Sequence, residues 1–91
     1  MRFAIVFSEV ARRDLLLLPS HLRARVMDRV EAQLREEPER VSRNRKPLRP
    51  PLAPNWELRI DEHRVIYRVS VETVQVLRIV RKGRKKTEDV T

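Results

Sequence analysis

Arginines at alternating positions of three short apolar runs are the residues of this chain best suited to chemistry. The runs span residues 56–60, 64–69 and 74–80 and are separated by short polar gaps, which predicts three consecutive antiparallel strands. Alternation places Arg59, Arg64 and Arg68 together on the face opposite the apolar side chains. Fixed cations of this kind can stabilise the negative charge that develops when an RNA 2′-hydroxyl attacks the adjacent phosphate.

Such a reaction also needs groups that accept and donate protons. His63, next to Arg64, is the candidate histidine, although a histidine in a turn is more often solvated. Tyr67 shares its face with Val65 and Val69, which predicts a core tyrosine rather than a catalytic one. The sequence shows no metal-ligand cluster, no glycine-rich phosphate loop and no serine–histidine pairing at a recognised spacing. We therefore predict no metal and no cofactor.

Basic residues dominate the charge of the chain. Twenty-one lysines and arginines stand against 13 aspartates and glutamates, for a net charge of +8. Two clusters, within residues 40–49 and 74–86, are basic and contain no acidic residue, a distribution that favours binding to phosphate. The predicted nucleic-acid-binding residues are Arg45, Lys46, Arg49, Arg68, Arg78, Arg81, Lys82, Lys85 and Lys86.

Composition also limits the class of protein. The absence of cysteine excludes disulfides and thiolate metal sites. No run approaches the roughly 18 apolar residues of a membrane helix. We therefore expect a soluble, cytoplasmic protein without membrane association, forming a single domain over residues 1–91.

The first half of the sequence predicts a strand and two helices. Residues 1–7 alternate as a strand does, and Ser8 is a candidate helix N-cap. In the first helix, Leu16 points away from the apolar stripe, where it could contact a partner. That stripe consists of Val10, Ala11, Leu15, Leu17 and Leu18. A second amphipathic helix is predicted over residues 21–37, ended by Pro38.

The remaining segment, residues 39–54, holds four prolines among basic residues and is predicted to be a long extended loop. The predicted fold is α+β, with elements in the order β-α-α-β-β-β. It contains a small antiparallel sheet of about four strands, with the N-terminal helical hairpin packed on one face.

The order of elements and the hairpin sequence W-x-L-R-I…H-R-V-I-Y-R-V, followed by Val76-Leu77-Arg78-Ile79, resemble the RelE/ParE superfamily of bacterial type II toxins. The resemblance covers nearly the whole chain. It implies a small toxin that is neutralised by an acidic antitoxin wrapped around it. RelE-like members cleave mRNA in the ribosomal A site without a metal, whereas ParE-like members inhibit DNA gyrase.

The resemblance also implies roles for individual residues. By this correspondence the catalytic residues are Arg59, Arg64 and Arg84. Two positions depart from RelE itself: Glu57 stands where that nuclease is basic, and residues 85–91 contain no tyrosine where it carries a catalytic one. The predicted antitoxin contacts are Leu16, Arg64 and Arg68.

Three functions remain open at the level of the sequence. The first is a ribosome-dependent mRNA endonuclease, and the second is a gyrase inhibitor that acts by protein binding without catalysis. The third is a non-toxic basic nucleic-acid-binding module. A toxin would have an acidic antitoxin as its partner, would act on mRNA on the ribosome or on gyrase, and would meet operator DNA only through the antitoxin.

Overall fold

The computed structural model describes residues 2–82. Its elements are β1 (Ala4–Phe7), α1 (Glu9–Leu16), α2 (Ser20–Leu34), β2 (Arg45–Pro47), β3 (Trp56–Ile60), β4 (His63–Val69) and β5 (Thr73–Arg81). The strands form one sheet in the order β1-β5-β4-β3-β2. The predicted α+β class and the order of its main elements are confirmed. The sheet, however, has five strands rather than about four.

The strands β2 to β5 form an antiparallel meander, but β1 lies parallel to β5. The prediction of a wholly antiparallel sheet is therefore wrong at this edge. The two helices carry the chain from β1 to the opposite edge of the sheet, and the meander then returns strand by strand until β5 lies beside β1. Alternating apolar residues predict a strand but do not give the direction of its neighbour.

The strand β2 lies within the segment predicted to be a loop. It pairs with β3 in the register Arg45↔Leu58, Lys46↔Glu57 and Pro47↔Trp56. It is a three-residue edge strand that ends in a proline, and prolines are tolerated at sheet edges. The residues of β2 are too few and too polar to show the alternation that predicts a strand. This strand forms because it pairs with β3, which its own sequence does not reveal.

The helices cover one face of the sheet, as predicted. The buried core comprises Ala11, Leu15, Val26, Val30, Leu34, Leu58, Ile60, Val65, Tyr67, Val74, Val76 and Ile79. Leu17 was predicted in the apolar stripe but is 84% exposed, because α1 ends at Leu16 and the chain turns away from the helical repeat. Leu16, predicted to be exposed, is 70% exposed.

Side chains fix both ends of α1. Ser8 is the predicted N-cap of α1: its hydroxyl oxygen accepts a hydrogen bond from the Ala11 N–H at 3.0 Å. The Arg23 guanidinium donates to the carbonyl oxygens of Leu15, at 3.1 Å, and Leu18, at 2.9 Å, which holds the turn between the helices. The helix α2 ends at Leu34, three residues before the predicted end.

Tyr67 is a core residue, as predicted. Its ring is fully buried, and its hydroxyl donates to the carbonyl oxygen of Pro38 at 2.6 Å. Burial raises the pKa of the Tyr67 hydroxyl above its ordinary value, so the group stays protonated and keeps donating. This bond fastens the start of the β2-containing segment to the centre of the sheet.

Asp14 ties α1 to the part of β5 that extends past β1. Its carboxylate accepts hydrogen bonds from the Ile79 N–H at 2.8 Å and from the Arg78 Nε at 3.0 Å. Burial works against ionisation of Asp14, but the bonds from Arg78 and Ile79 outweigh it, so the pKa of Asp14 lies below its ordinary value. The ionised carboxylate thus stabilises the fold.

The variant Asp14→Asn should lower the free energy of unfolding at neutral pH by about 1–3 kcal/mol, because charged hydrogen bonds to a shielded carboxylate are lost. The stabilisation by Asp14 is fully present above its unfolded pKa of about 3.9 and disappears as pH falls through the lower folded pKa. Denaturant unfolding of both proteins at several pH values measures this. The gap should close in acid.

The matched control is Asp28→Asn, because Asp28 is exposed on α2. This control should change stability little at any pH. A gap between wild type and Asp14→Asn that is equally large at about pH 3 and about pH 7 would contradict the assigned role of the carboxylate.

Candidate nucleic-acid interface

A small cationic pocket lies on the face of the sheet that the helices leave open. Its volume is about 120 Å³, and strands β2, β3 and β4 supply most of its walls. The lining residues are Arg43, Asn44, Lys46, Glu57, Arg59, Arg64 and Lys82. Five of the seven are basic and one is acidic. We call this the cationic pocket.

Glu57 and Arg64 form the least exposed ion pair of the described residues. The Arg64 Nε lies 3.5 Å from the Glu57 Oε2, and the two side chains are only 13% and 11% exposed. The Arg64 Nη1 also donates to the backbone carbonyls of Asp61, at 3.1 Å, and His63, at 3.0 Å. Held from two sides, the guanidinium is fixed before any ligand arrives.

Arg59 lies directly opposite Arg64 in the β3–β4 ladder. Like charges at directly opposed positions destabilise a sheet. Among residues 2–82, Arg59 makes no ion pair and its side chain is exposed. Lys46, in β2, lies opposite Glu57, in β3. One carboxylate therefore balances a cluster of cations, and the surplus positive charge faces solvent.

This arrangement combines a proton acceptor with an anion-binding group. A carboxylate can take a proton from a hydroxyl, and the adjacent guanidinium groups can stabilise an oxyanion. The sequence comparison identified Glu57 only as a position that differs from RelE, and Glu57 was not among the predicted site residues. Alternation alone offered one signal, because Glu57 is the single acidic residue on the cationic face of β3.

Several arginines predicted to bind nucleic acid are engaged within the chain. Arg45 donates to the carbonyls of Gln33 and Glu37 at the end of α2, at 2.6 and 3.0 Å. Arg78 is paired with Asp14 across the sheet edge.

Two more of the arginines predicted to bind nucleic acid each contact one side chain of the protein and remain exposed. Arg81 is paired with Glu62 at 2.8 Å, with 72% of its side chain exposed. Arg68 donates to the Asn55 Oδ1 at 3.2 Å and is exposed. Arg81 lines a different hollow, on the helix-covered side.

The remaining predicted residues divide between the pocket, the loop and the tail. Lys46, Arg59, Arg64 and Lys82 meet in the cationic pocket. Arg49 is exposed in the loop after β2. Arg84, Lys85 and Lys86 lie outside the described residues, so the structure places none of them.

His63 does not reach the cationic pocket. It lines an apolar hollow on the helix side of the sheet, together with Leu17, Leu18 and Leu22. The position follows from alternation, since His63 shares its face with Val65 and Arg64 points the other way. The hypothesis that His63 takes part in catalysis therefore has no geometric support.

No group of three or more histidine, cysteine, aspartate or glutamate side chains within residues 2–82 is arranged to hold a metal ion. Over the same residues, no helix is long and apolar enough to cross a membrane.

Comparison with known proteins identifies the family. Residues 5–86 match the family model of the ParE toxin of type II toxin–antitoxin systems, parDE. The chain belongs to this toxin family. It is 38% identical over 81 residues to toxin RelG of Mycobacterium tuberculosis, a match that covers 87% of this chain and 90% of RelG.

Solved structures of RelE/ParE proteins share the fold. The toxin–antitoxin complex RelBE2 of Mycobacterium tuberculosis contains a chain that matches with a TM-score of 0.75 and 32% identity, over 90% of this chain and 100% of that one. The YoeB/ParE toxin of Agrobacterium tumefaciens matches with a TM-score of 0.70 and 21% identity, over 89% and 99% of the two chains. The protein is thus a type II toxin with a RelE/ParE fold.

The variant Arg59→Gln should raise the free energy of unfolding by about 0.2–1 kcal/mol, because it removes a like charge directly opposite Arg64. The gain should shrink at high salt, where the repulsion is screened. Denaturant unfolding at low and high salt measures both effects. Arg49→Gln, in the loop, is the matched control, and a gain of the same size there would show that the effect is not specific to the strand pair.

Proposed function

We propose that this toxin is a metal-independent endoribonuclease that cuts mRNA on the ribosome. The observation that carries the proposal is the Glu57–Arg64 pair, shielded from solvent inside a pocket of basic side chains. A shielded carboxylate repels phosphate, so it weakens the attraction of the pocket for nucleic acid. A carboxylate is useful there if it removes a proton during the reaction.

The proposed reaction is an internal transfer at one phosphodiester. Glu57 accepts the proton of the 2′-hydroxyl, and the 2′-oxygen then attacks the adjacent phosphorus. The bond from phosphorus to the 5′-oxygen breaks, leaving a 2′,3′-cyclic phosphate and a 5′-hydroxyl. Arg59 and Arg64 stabilise the extra negative charge on the non-bridging oxygens. An ammonium group of the pocket, from Lys46 or Lys82, gives the leaving 5′-oxygen its proton.

Similarity to RelE-named toxins supports this choice. RelG is 38% identical to the chain, and the RelE-like branch of the superfamily is the one whose members cleave mRNA. The pocket also contains Arg59 and Arg64, two of the three residues that the resemblance marks as catalytic. The function requires the cytoplasm, where ribosomes and mRNA meet.

A second candidate function is inhibition of DNA gyrase by protein binding. It is favoured by the match to the ParE toxin family model and by the apolar tip of the helical hairpin. There Leu16 and Leu17 are 70% and 84% exposed, and adjacent exposed leucines suit a protein contact. The third hypothesis, a non-toxic nucleic-acid-binding module, conflicts with membership of a toxin family.

We also propose that a cognate acidic antitoxin neutralises the toxin. The relative RelBE2 was solved as a toxin–antitoxin complex, and the net charge of +8 favours an acidic partner. Leu16 and Arg68 are exposed, as contact residues must be, whereas the Arg64 side chain is only 13% exposed and is paired with Glu57. An antitoxin that reaches Arg64 would have to compete with that carboxylate. Binding to operator DNA is proposed to occur only through the antitoxin.

Primer extension on mRNA bound to programmed ribosomes tests the nuclease. The purified toxin should produce cuts at A-site codons. Arg59→Ala and Arg64→Ala should each lower the cleavage rate by about 10²-fold or more, because each removes a donor to the transition state. Arg12→Ala is the matched control, since Arg12 is exposed on α1, away from the pocket, and it should cut at the wild-type rate.

Added antitoxin should suppress the cuts. Cleavage that proceeds unchanged in both pocket variants, with the fold intact, would remove these arginines from the mechanism. If the toxin arrests growth and blocks gyrase supercoiling but makes no cuts, the second candidate function replaces the first.

A further inference from the structure

The basic side chains of the described residues differ in whether other groups of the chain already bind them. Arg45 and Arg78 donate to carbonyl and carboxylate oxygens. Within residues 2–82, the side chains of Arg43, Lys46 and Arg49 make no ion pair or hydrogen bond, and all three are exposed. Arg43 was not among the residues predicted to bind nucleic acid. These three form a group available to an external anion.

The three available cations follow one another along the β2 edge. Arg43 and Lys46 line the cationic pocket. Lys46 also lines a second hollow, of about 590 Å³, formed by residues 46–50 and including Arg49. The two cavities therefore meet at Lys46, and the positive surface continues out of the pocket along the segment that carries β2.

We propose that these residues, Arg43, Lys46 and Arg49, form an RNA track that binds the single strand flanking the scissile phosphate. The inference rests on the proposed nuclease function and names the substrate contacts that continue from its chemical centre, at Arg43 and Lys46, to Arg49 outside the pocket. From Lys46 to Arg49 an extended chain spans about 10 Å, and two strand spacings from β2 to β4 add about 10 Å. A stacked strand rises about 3.4 Å per nucleotide, so about six nucleotides cover this path.

The chemistry of the β2 edge favours RNA over an acidic peptide. A peptide that adds to a sheet edge is held by main-chain hydrogen bonds. Prolines have no N–H to donate, and this segment contains Pro47, Pro50 and Pro51. What the edge offers instead is spaced positive charge beside the apolar surfaces of Pro47 and Leu48. A phosphodiester strand with flat base faces fits both features.

Salt-dependent binding of RNA that 2′-O-methyl groups make non-cleavable tests the track on the full-length toxin by fluorescence anisotropy. Each lost phosphate contact should reduce the slope of log K against log salt by about 0.7. We expect Arg43→Gln and Arg49→Gln each to show this reduction with a strand of about eight nucleotides, and Arg49→Gln to show none with a strand of about two. Arg12→Gln, on α1, is the matched control and should keep the wild-type slope.

Kinetics separate the track from the chemical centre. In ribosome-dependent cleavage, Arg49→Gln should raise KM, whereas Arg59→Gln should lower kcat. If Arg43→Gln and Arg49→Gln both keep the wild-type salt slope for RNA binding, the RNA track is overturned. It is also overturned if Arg49→Gln weakens the binding of an acidic peptide and leaves RNA binding unchanged. If the slopes change as expected but wild type makes no cuts, the track stands and the proposed cleavage fails.

Discussion

The ion pair between Glu57 and Arg64 is the interaction on which the open face of this toxin depends. The β3–β4 register sets Arg59 against Arg64, an arrangement that costs stability unless a negative charge lies near. Glu57, largely shielded, supplies that charge at 3.5 Å. The same carboxylate is then positioned to act as a base. The Glu57 carboxylate thus has two roles: it balances the charge of the arginines in the folded protein, and it accepts a proton in the proposed reaction.

Hydrogen bonds on the helix-covered side of the sheet hold the β2 segment in place. Tyr67, buried between the sheet and the helices, donates to Pro38 and fastens the start of the β2 segment, and Arg45 fastens β2 to the end of α2. Because β2 carries Lys46 across from Glu57, these internal bonds also position the pocket. Some of the basic residues that the sequence suggests for ligand binding, such as Arg45, therefore stabilise the fold instead. Others stay available to bind an external anion.

Alternation along β3 and β4 predicted the core face, and it predicted that Arg59 and Arg64 share the cationic face. It did not give the register that sets these two arginines opposite each other. It could not predict β2, whose pairing depends on β3, or the parallel contact of β1 with β5. Nor could it predict which cations the chain engages, since Arg45 and Arg78 find their acceptors 8 to 64 residues away. Glu57 was missed because a comparison with RelE made it a departure, whereas its surroundings make it a candidate base.

Cleavage by Glu57→Gln tests the central claim most directly, because this change keeps the size of the side chain and removes its ability to accept a proton. Single-turnover cleavage of mRNA on programmed ribosomes would be compared for wild type, Glu57→Gln and Glu39→Gln, an exposed residue outside the pocket. The account predicts a loss of about 10²–10⁴-fold in rate for Glu57→Gln alone, with binding to ribosomes retained. Cleavage by Glu57→Gln at the wild-type rate would contradict it.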